Sequence, residues 1–218
     1  MAGATLARLG SIADRRWGLF TTAQAEASGV SRKQLSRMAS TGALERVTQG
    51  VYRMAGAPHH EHEPIYATWL ALGGATALPT QAGVAAVVAA GTTAAALHDI
   101  GDFIPSRFDF IVPSRKATRL PGVRLRIRTL ARDDVIPTNG LPTLTIERTI
   151  ADLVELGTDI SLVADAVRDA VRADKLIAPQ RLAFHLAPIA KRRKTEGTTL
   201  LNDLFQLADA HPEGWVLG

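Results

Sequence analysis

The acidic side chains are the first candidates for catalysis in this sequence. Asp109, Glu147 and Asp152, with Arg107 nearby, come closest to the residue set of a metal-dependent nuclease. Asp109 lies in an apolar stretch that predicts a strand, and Glu147 and Asp152 are five residues apart, about 140° around one predicted helix. Two carboxylates so oriented do not easily share a cation. Gly-rich phosphate loops, Ser nucleophile elbows and His-Glu-x-x-His motifs are absent, so we predict no enzyme, no catalytic residue and no cofactor.

A histidine-rich run at residues 59–63, His-His-Glu-His-Glu, is the second candidate, because imidazole and carboxylate groups bind metals. The five residues are contiguous, and nothing nearby in the sequence supplies hydrogen-bond partners to orient their side chains around a metal. They follow Ala55-Gly56-Ala57-Pro58, a composition typical of a linker. We therefore predict a linker here and no metal site.

The basic side chains are more informative, because they are unevenly distributed. The formal net charge is +4 over 218 residues, but residues 1–57 hold eight Lys/Arg against three Asp/Glu, whereas residues 58–218 hold seventeen against eighteen. A positive field confined to one short segment is typical of a nucleic-acid-binding module.

Local signals predict the elements that would position these cations. Residues 6–13 place apolar side chains at helical spacing, and Thr21–Gln24 and Ser31–Gln34 each have the Ser/Thr-x-x-Gln form of a capping box that begins a helix. Gly29 separates the second helix from the third. Two helices joined by a tight Gly-containing turn form a helix-turn-helix.

The third helix, predicted from Arg32 to about Thr41, has an apolar face and a basic face. Leu35, Met38 and Ala39 point inward, and no carboxylate lies within the helix to pair with its cations. Cations interspersed with small hydroxyls suit contact with phosphates and base edges in a major groove. The residues predicted to bind DNA here are Ser31, Arg32, Lys33, Ser36, Arg37 and Ser40.

A β-hairpin is predicted directly after this helix. Leu44–Val47 and Val51–Met54 are short strand-like segments on either side of Thr48-Gln49-Gly50. A hairpin in this position is a wing. Arg46 and Arg53 are predicted to contact the phosphate backbone, and Gln49 in the loop completes the predicted DNA-binding set.

The segment from Trp17 to Arg53 resembles the N-terminal domain of the AbiEi-type antitoxins of bacterial type IV toxin–antitoxin systems. The Gly-Val-Ser spacing at 29–31, Leu44-Glu45-Arg46-Val47 and Gly50-Val51-Tyr52-Arg53 carry the resemblance. Two later segments also resemble that pattern in order: the Ala-rich Gly91–His98, and Gly140–Leu153, where a Leu-Pro stretch leads into a Glu-Arg-Thr helix with Thr145 as its expected cap. The resemblance covers residues 8–155.

A second basic stretch lies in the C-terminal part. Residues 107–132 contain eight Lys/Arg and one Asp, and the strand predicted over residues 123–128 alternates strictly. We expect Val123, Leu125 and Ile127 to face inward, with Arg124, Arg126 and Arg128 facing outward. This row is either the solvated face of a half-buried sheet or a second docking surface for nucleic acid or an acidic partner.

The whole pattern predicts an α+β protein. Residues 1–57 form a winged helix-turn-helix domain, and residues 58–218 form a mixed α/β domain with a small sheet and C-terminal helices. Residues 64–98 contain no Asp, Glu, Lys or Arg, but Gly and Pro interrupt them, so we expect buried core and not a membrane span. With no cysteine and no signal peptide, the expected setting is the cytoplasm.

The resemblance implies a function. Proteins of this type bind double-stranded DNA at repeats in their own promoter, repress their operon, and counteract a nucleotidyltransferase toxin directly or indirectly. The alternative is a stand-alone winged-helix transcription regulator whose second domain senses a ligand or mediates assembly.

Overall fold

A computed structural model describes residues 2–14, 16–104 and 106–216 of the chain. The chain divides into two compact units, Met1–Ala77 with Thr118–Leu120, and Leu78–Ala117 with Pro121–Gly218. The boundary proposed at residue 57 stays a prediction about where the DNA-binding domain ends. The fold is α+β, as the sequence predicts, with a winged-helix region at the N-terminus.

The first unit contains a three-stranded antiparallel sheet with the strand order β1-β3-β2. Its elements are α1 (Ala2–Ala13), β1 (Leu19–Thr21), α2 (Thr22–Ala27), α3 (Arg32–Ser40), β2 (Leu44–Thr48), β3 (Val51–Met54) and α4 (Glu63–Ala71). Strand β1 was not predicted, because three residues are too short to show an alternating pattern.

One apolar cluster holds the helix-turn-helix together. The side chains that meet there come from α1, β1, α2, the turn, α3 and β2: Leu9, Ala13, Phe20, Ala25, Val30, Leu35 and Leu44. Because every element contributes to the same cluster, the position of α3 is fixed by burial and not by helix propensity alone.

Helix α4 belongs to the same unit and packs against all three of its strands. It begins with Glu63 and Pro64, and Pro suits the first turn because its missing N–H would have no intrahelical partner there. Most of its side chains, including Tyr66, Trp69 and Leu70, are buried. Residues 63–71 are therefore part of the core of the first unit.

The second unit contains a five-stranded mixed sheet with the order β6-β5-β4-β8-β7. Its elements are β4 (Val88–Ala89), α5 (Gly91–Leu97), β5 (Phe108–Val112), β6 (Val123–Ile127), a 3-10 turn (Arg132–Asp134), β7 (Val135–Thr138), β8 (Leu141–Leu144), α6 (Ile146–Glu155), α7 (Ile160–Arg172), α8 (Pro179–Arg192) and α9 (Gly197–Ala208). The pairs β5–β6 and β4–β8 are parallel, and the other two are antiparallel.

Helices α6 to α9 surround the larger apolar core of this unit. Helices α8 and α9 approach closely at Gly197, where a Cβ atom would come within 2.3 Å of the Ala183 carbonyl oxygen. Within the described residues, no helix is long and apolar enough to cross a membrane. The uncharged stretch 64–98 is divided among α4, β4 and α5, as expected for buried core.

Candidate nucleic-acid interface

The turn between α2 and α3 is built by local hydrogen bonds. Gly29 has a positive φ of 83°, which a residue with a side chain rarely adopts, and Val30 after it is buried. Ser31 then caps α3: its N–H donates to Gln34 Oε1 at 2.8 Å, and its Oγ accepts from the Gln34 N–H at 3.3 Å. Thr21 and Gln24 form the same box before α2. Both capping boxes were predicted from sequence, and both are confirmed.

Helix α3 presents the expected two faces. Leu35 is buried, and Met38 and Ala39 pack against the core cluster. The predicted DNA-binding side chains of this helix and its cap all lie exposed on the other side: Ser31, Arg32, Lys33, Ser36, Arg37 and Ser40. The Ser40 hydroxyl donates to the Arg37 carbonyl oxygen at 2.8 Å, which leaves the oxygen of Ser40 as an acceptor.

One of the three cations on α3 has an acidic partner. Arg32 Nε donates to Glu26 Oε1 of α2 at 2.8 Å, so the expectation of a wholly uncompensated face is wrong at this residue. The sequence argument considered only carboxylates within α3. An exposed ion pair of this kind contributes about 0.2–1 kcal/mol, so a phosphate competes with it easily. No described residue pairs with the side chain of Lys33 or Arg37.

The loop of the wing is hydrogen-bonded to the start of α2. Gly50, in the loop between β2 and β3, accepts through its carbonyl oxygen from the Thr22 N–H at 2.8 Å and from the Thr22 hydroxyl at 3.3 Å. Thr22 is the first residue of α2. Arg46 and Gln49 lie exposed on this hairpin. The structure therefore brings the predicted wing residues onto an element that is hydrogen-bonded to α2.

Arg53 does not belong to this surface, and its predicted phosphate contact is corrected here. The residue is 2% exposed, and its guanidinium contacts Glu45 across the β2–β3 pair, Glu63 of α4 at 3.1 Å and the ring of His59. Burial alone would lower the pKa of Arg53, but its hydrogen bond to Glu45 and the charge of Glu63 outweigh burial and raise that pKa. Arg53 is a structural cation, and the strand pattern alone gave no sign of the carboxylates around it.

The histidine-rich segment takes part in packing. His59 contacts Arg53, and the ring of His60 stacks on Trp17 with centroids 4.6 Å apart. Across the described residues, no group of three or more His, Asp or Glu is arranged to hold a metal ion.

The predicted arginine row of β6 is also different in the structure. Arg124 binds the buried Asp109 of β5, with Nη2 to Oδ2 at 2.7 Å, and Arg126 binds the buried Asp152 of α6, with Nη1 to Oδ1 at 2.7 Å. Arg128 lies 3.4 Å from Glu155. The expected outward surface of three free cations is wrong, because each has a carboxylate partner from β5 or α6.

The predicted inward and outward faces of β6 are not separated in the structure, because residues 123–126 are all half-buried. The Arg126 side chain is 12% exposed, whereas Ile127 is 52% exposed. Alternation correctly places the three arginines on one face, but it does not tell which face another element covers. Here β5 and α6 supply the carboxylates on the arginine side, and the opposite face of this edge strand is open at Ile127.

The acidic residues first considered for nuclease chemistry form a buried network with these arginines. Asp152 Oδ2 accepts from the Gly91 N–H at 2.8 Å, and the Asp109 N–H donates to Thr93 Oγ1 at 2.7 Å. Burial alone would lower the pKa of Arg126, but the hydrogen bonds and charge of Asp152 raise it. Glu147 lies apart from them and accepts from the Ala178 N–H at 3.0 Å. These contacts join the sheet to α5 and α6, and α6 to the start of α8.

Comparison with known proteins agrees with the sequence reading of the first unit. Residues 8–55 match the family described as transcriptional regulator, AbiEi antitoxin. This match confirms the predicted resemblance for the N-terminal region, while its extension to residue 155 stays a prediction. No curated protein matches the chain.

The chain also shares its fold with a solved structure. The RV2827C protein from Mycobacterium tuberculosis is 16% identical, with a TM-score of 0.56 over 95% of this chain and 78% of that one. At this identity the similarity concerns the fold alone.

Proposed function

We propose that this chain is a cytoplasmic antitoxin that binds DNA of its own operon through α3 and the wing, represses transcription, and counteracts a nucleotidyltransferase toxin without being an enzyme. The observation that carries the proposal is the exposed pair Lys33 and Arg37 beside a hydrogen-bonded wing, in the segment that matches the antitoxin regulator family.

The geometry suggests a division of roles. Helix α3 enters a major groove, where Lys33 and Arg37 bind phosphates or guanine edges and Ser36 and Ser40 offer hydroxyls. When DNA binds, the guanidinium of Arg32 leaves the carboxylate of Glu26 and pairs with a phosphate. Arg46 and Gln49 contact the flanking backbone from the wing, and these contacts fix register without reading sequence.

DNA binding is tested by titrating promoter DNA with the Lys33→Ala/Arg37→Ala variant. Each base-edge contact contributes about 1–3 kcal/mol of discrimination, so affinity should fall at least tenfold, and the slope of log K against log salt should decrease by about 0.9 for each lost phosphate contact. Arg172→Ala, an exposed cation of α7, is the matched control and should bind normally. Equal affinity for the double variant, folded by circular dichroism, would show that α3 is not the recognition helix.

Toxin neutralisation is tested separately, by co-expressing the full chain with the nucleotidyltransferase toxin that the proposal expects to be encoded in the same operon. Growth should be rescued by the wild type and also by the Lys33→Ala/Arg37→Ala variant when both genes are driven from foreign promoters, because repression is then irrelevant. Rescue by the wild type only would mean that neutralisation requires DNA binding.

A cavity in the second unit is the feature that would favour a ligand-sensing regulator instead. It measures about 800 Å³ and is lined by His98, Glu147, Lys175 and Arg181 among others. Lys175 donates to the His98 carbonyl oxygen at 2.6 Å, Arg181 to that of Asp133 at 2.8 Å, and Glu147 accepts from Ala178. Each of these three side chains is engaged by a backbone group of the second unit, which supports a structural role and the antitoxin proposal.

A further inference from the structure

Helix α8 has an apolar stripe on its exposed side. Phe184 is 74% exposed, and Ala187 and Pro188 beside it are exposed as well. At about 100° per residue, these three and Lys191 fall within one arc of about 100°. Ile177, 84% exposed, lies two residues before the helix and is not part of this arc. An exposed phenyl ring with apolar neighbours on the same face is a candidate anchor for a binding site.

Pro188 adds a second unusual feature to this stripe. It lies inside α8, where it has no N–H to donate to the Phe184 carbonyl oxygen, and an interior proline costs a helix about 3 kcal/mol. Packing does not require the ring, because the residue is exposed. The stripe therefore combines an exposed phenyl ring, an exposed pyrrolidine ring and a carbonyl oxygen that lacks its helical partner.

A cluster of cations lies at one end of the stripe. Lys191, Arg192, Arg193 and Lys194 are all exposed, and α8 contains no Asp or Glu. No described residue forms an ion pair or side-chain hydrogen bond with these four. Their charge is consequently available to an acidic partner.

A shallow cavity of about 400 Å³ adjoins the stripe. Its lining residues are Arg148, Phe184, His185, Ala187, Pro188 and Lys191. The Arg148 Nε atom is buried and makes no hydrogen bond to the described residues. A buried donor without an acceptor is costly, and a ligand acceptor in this cavity would satisfy it.

We propose that α8 with residues 191–194 is the docking surface for an acidic segment of a protein partner, which inserts an apolar side chain beside Phe184 and places carboxylates against the cations. An apolar centre with a charged rim is the usual anatomy of a protein interface. A nucleic acid carries a phosphate at every nucleotide and would need cations along the whole stripe, whereas these lie at one end. The partner identified by the proposed function, on which this step rests, is the nucleotidyltransferase toxin.

The experiment measures binding of the purified full-length chain to the purified toxin by biolayer interferometry at several salt concentrations. Phe184→Asp should weaken binding at least tenfold. Arg192→Glu/Arg193→Glu should slow association about tenfold and make it less sensitive to salt, because steering by the rim is lost. Leu207→Asp, which changes an exposed leucine of α9, is the matched control and should bind like wild type. Promoter affinity should be unchanged in all variants.

Several results would overturn the docking surface. Wild-type affinity of the Phe184→Asp variant, or an equal loss in Leu207→Asp, removes α8 from the interface. Loss of promoter affinity in the α8 variants would show that this surface binds nucleic acid. If the wild type is a dimer and Phe184→Asp dissociates it, the surface is a contact between two copies of the chain. If the chain rescues growth without binding the toxin, the proposed function stands and the docking surface falls. If the chain binds the toxin but does not rescue growth, the docking surface stands and the proposed function falls. If it neither binds the toxin nor rescues growth, both proposals are refuted.

Discussion

Arg53 and Arg126 are nearly excluded from solvent, whereas Lys33 and Arg37 of α3 are exposed and have no partner among the described residues. A buried guanidinium persists only where carboxylates and hydrogen bonds compensate for lost hydration, and both residues have such partners. Cations of similar charge therefore have different consequences when they are removed: buried ones affect stability, and exposed ones affect binding.

Replacing Arg53 with Met should destabilise the first unit by about 3–5 kcal/mol, because Glu63 would remain buried without its cation. Urea unfolding followed by the fluorescence of Trp17 and Trp69 measures this change. Arg46→Met, on the neighbouring strand, should alter stability by less than about 0.5 kcal/mol and reduce promoter affinity instead. If the Arg53→Met variant is as stable as the wild type but binds DNA less well, Arg53 contacts a phosphate, as the sequence analysis predicted.

His98 should make the second unit less stable in mild acid. Burial lowers the pKa of His98, and its Nε2 must carry a proton to donate to the Leu144 carbonyl oxygen at 2.7 Å. The neutral His98 imidazole therefore takes up its second proton more readily in the unfolded chain than in the folded chain. Stability is full above the ordinary histidine pKa of about 6.5 and decreases as the pH falls below it.

The measurement is urea unfolding of wild type and His98→Gln at pH 7.5, 6.5 and 5.5. The variant should lose less stability between the first and last pH. Burial also lowers the pKa of His185, so part of the dependence should remain until that residue is replaced too. His211→Gln, an exposed histidine, serves as control. An identical pH dependence for His98→Gln and wild type would contradict the assignment.

At the scale of elements, local chemistry was sufficient to predict the helix-turn-helix. Ser31 and Thr21 form their capping boxes with residues only three positions away, so the signal is contained in the sequence. The partners of Arg53 and Arg126 come from other elements, Glu63 of α4 and Asp152 of α6. Such partners depend on tertiary packing, and strand alternation alone cannot reveal them. The same limit explains why Glu26 was missed as the partner of Arg32.

The Ser31 cap gives a prediction for α3 as a whole. Ser31→Ala removes the acceptor for the Gln34 N–H and should cost about 1 kcal/mol. Ser11→Ala, within α1, should be neutral or slightly stabilising, because alanine is the better helix former. Denaturant unfolding of the two variants provides the comparison. Equal stability would mean that tertiary packing alone holds the start of α3.

At the scale of the whole molecule, the first compact unit extends to Ala77, whereas the linker composition placed the domain boundary near residue 57. Helix α4 packs on all three strands of the first unit and provides the carboxylate of Glu63 to Arg53. Residues 58–77 should therefore be required for the DNA-binding domain to fold, although the linker composition of 55–58 suggests that it ends earlier.

Fragments 1–57 and 1–77 test this expectation directly. Fragment 1–77 should melt cooperatively and bind promoter DNA. Fragment 1–57 loses Tyr66, Trp69 and Leu70, each of which contributes about 1.5–3 kcal/mol by burial, and should show no cooperative transition in circular dichroism. A cooperative melt of both fragments at the same temperature would place the domain boundary at 57.

The bond between Thr22 and Gly50 has a consequence for the thermodynamics of recognition. These hydrogen bonds hold the loop of the wing against α2 in the free protein. The wing therefore loses most of its conformational entropy during folding, and little more is lost when the protein binds DNA. Binding should resemble the docking of a preorganised body, with small backbone displacements and slow amide hydrogen exchange in the hairpin before DNA is present. A Thr22→Val variant keeps the backbone donor but removes the hydroxyl, so it should bind the same site with a larger entropic penalty.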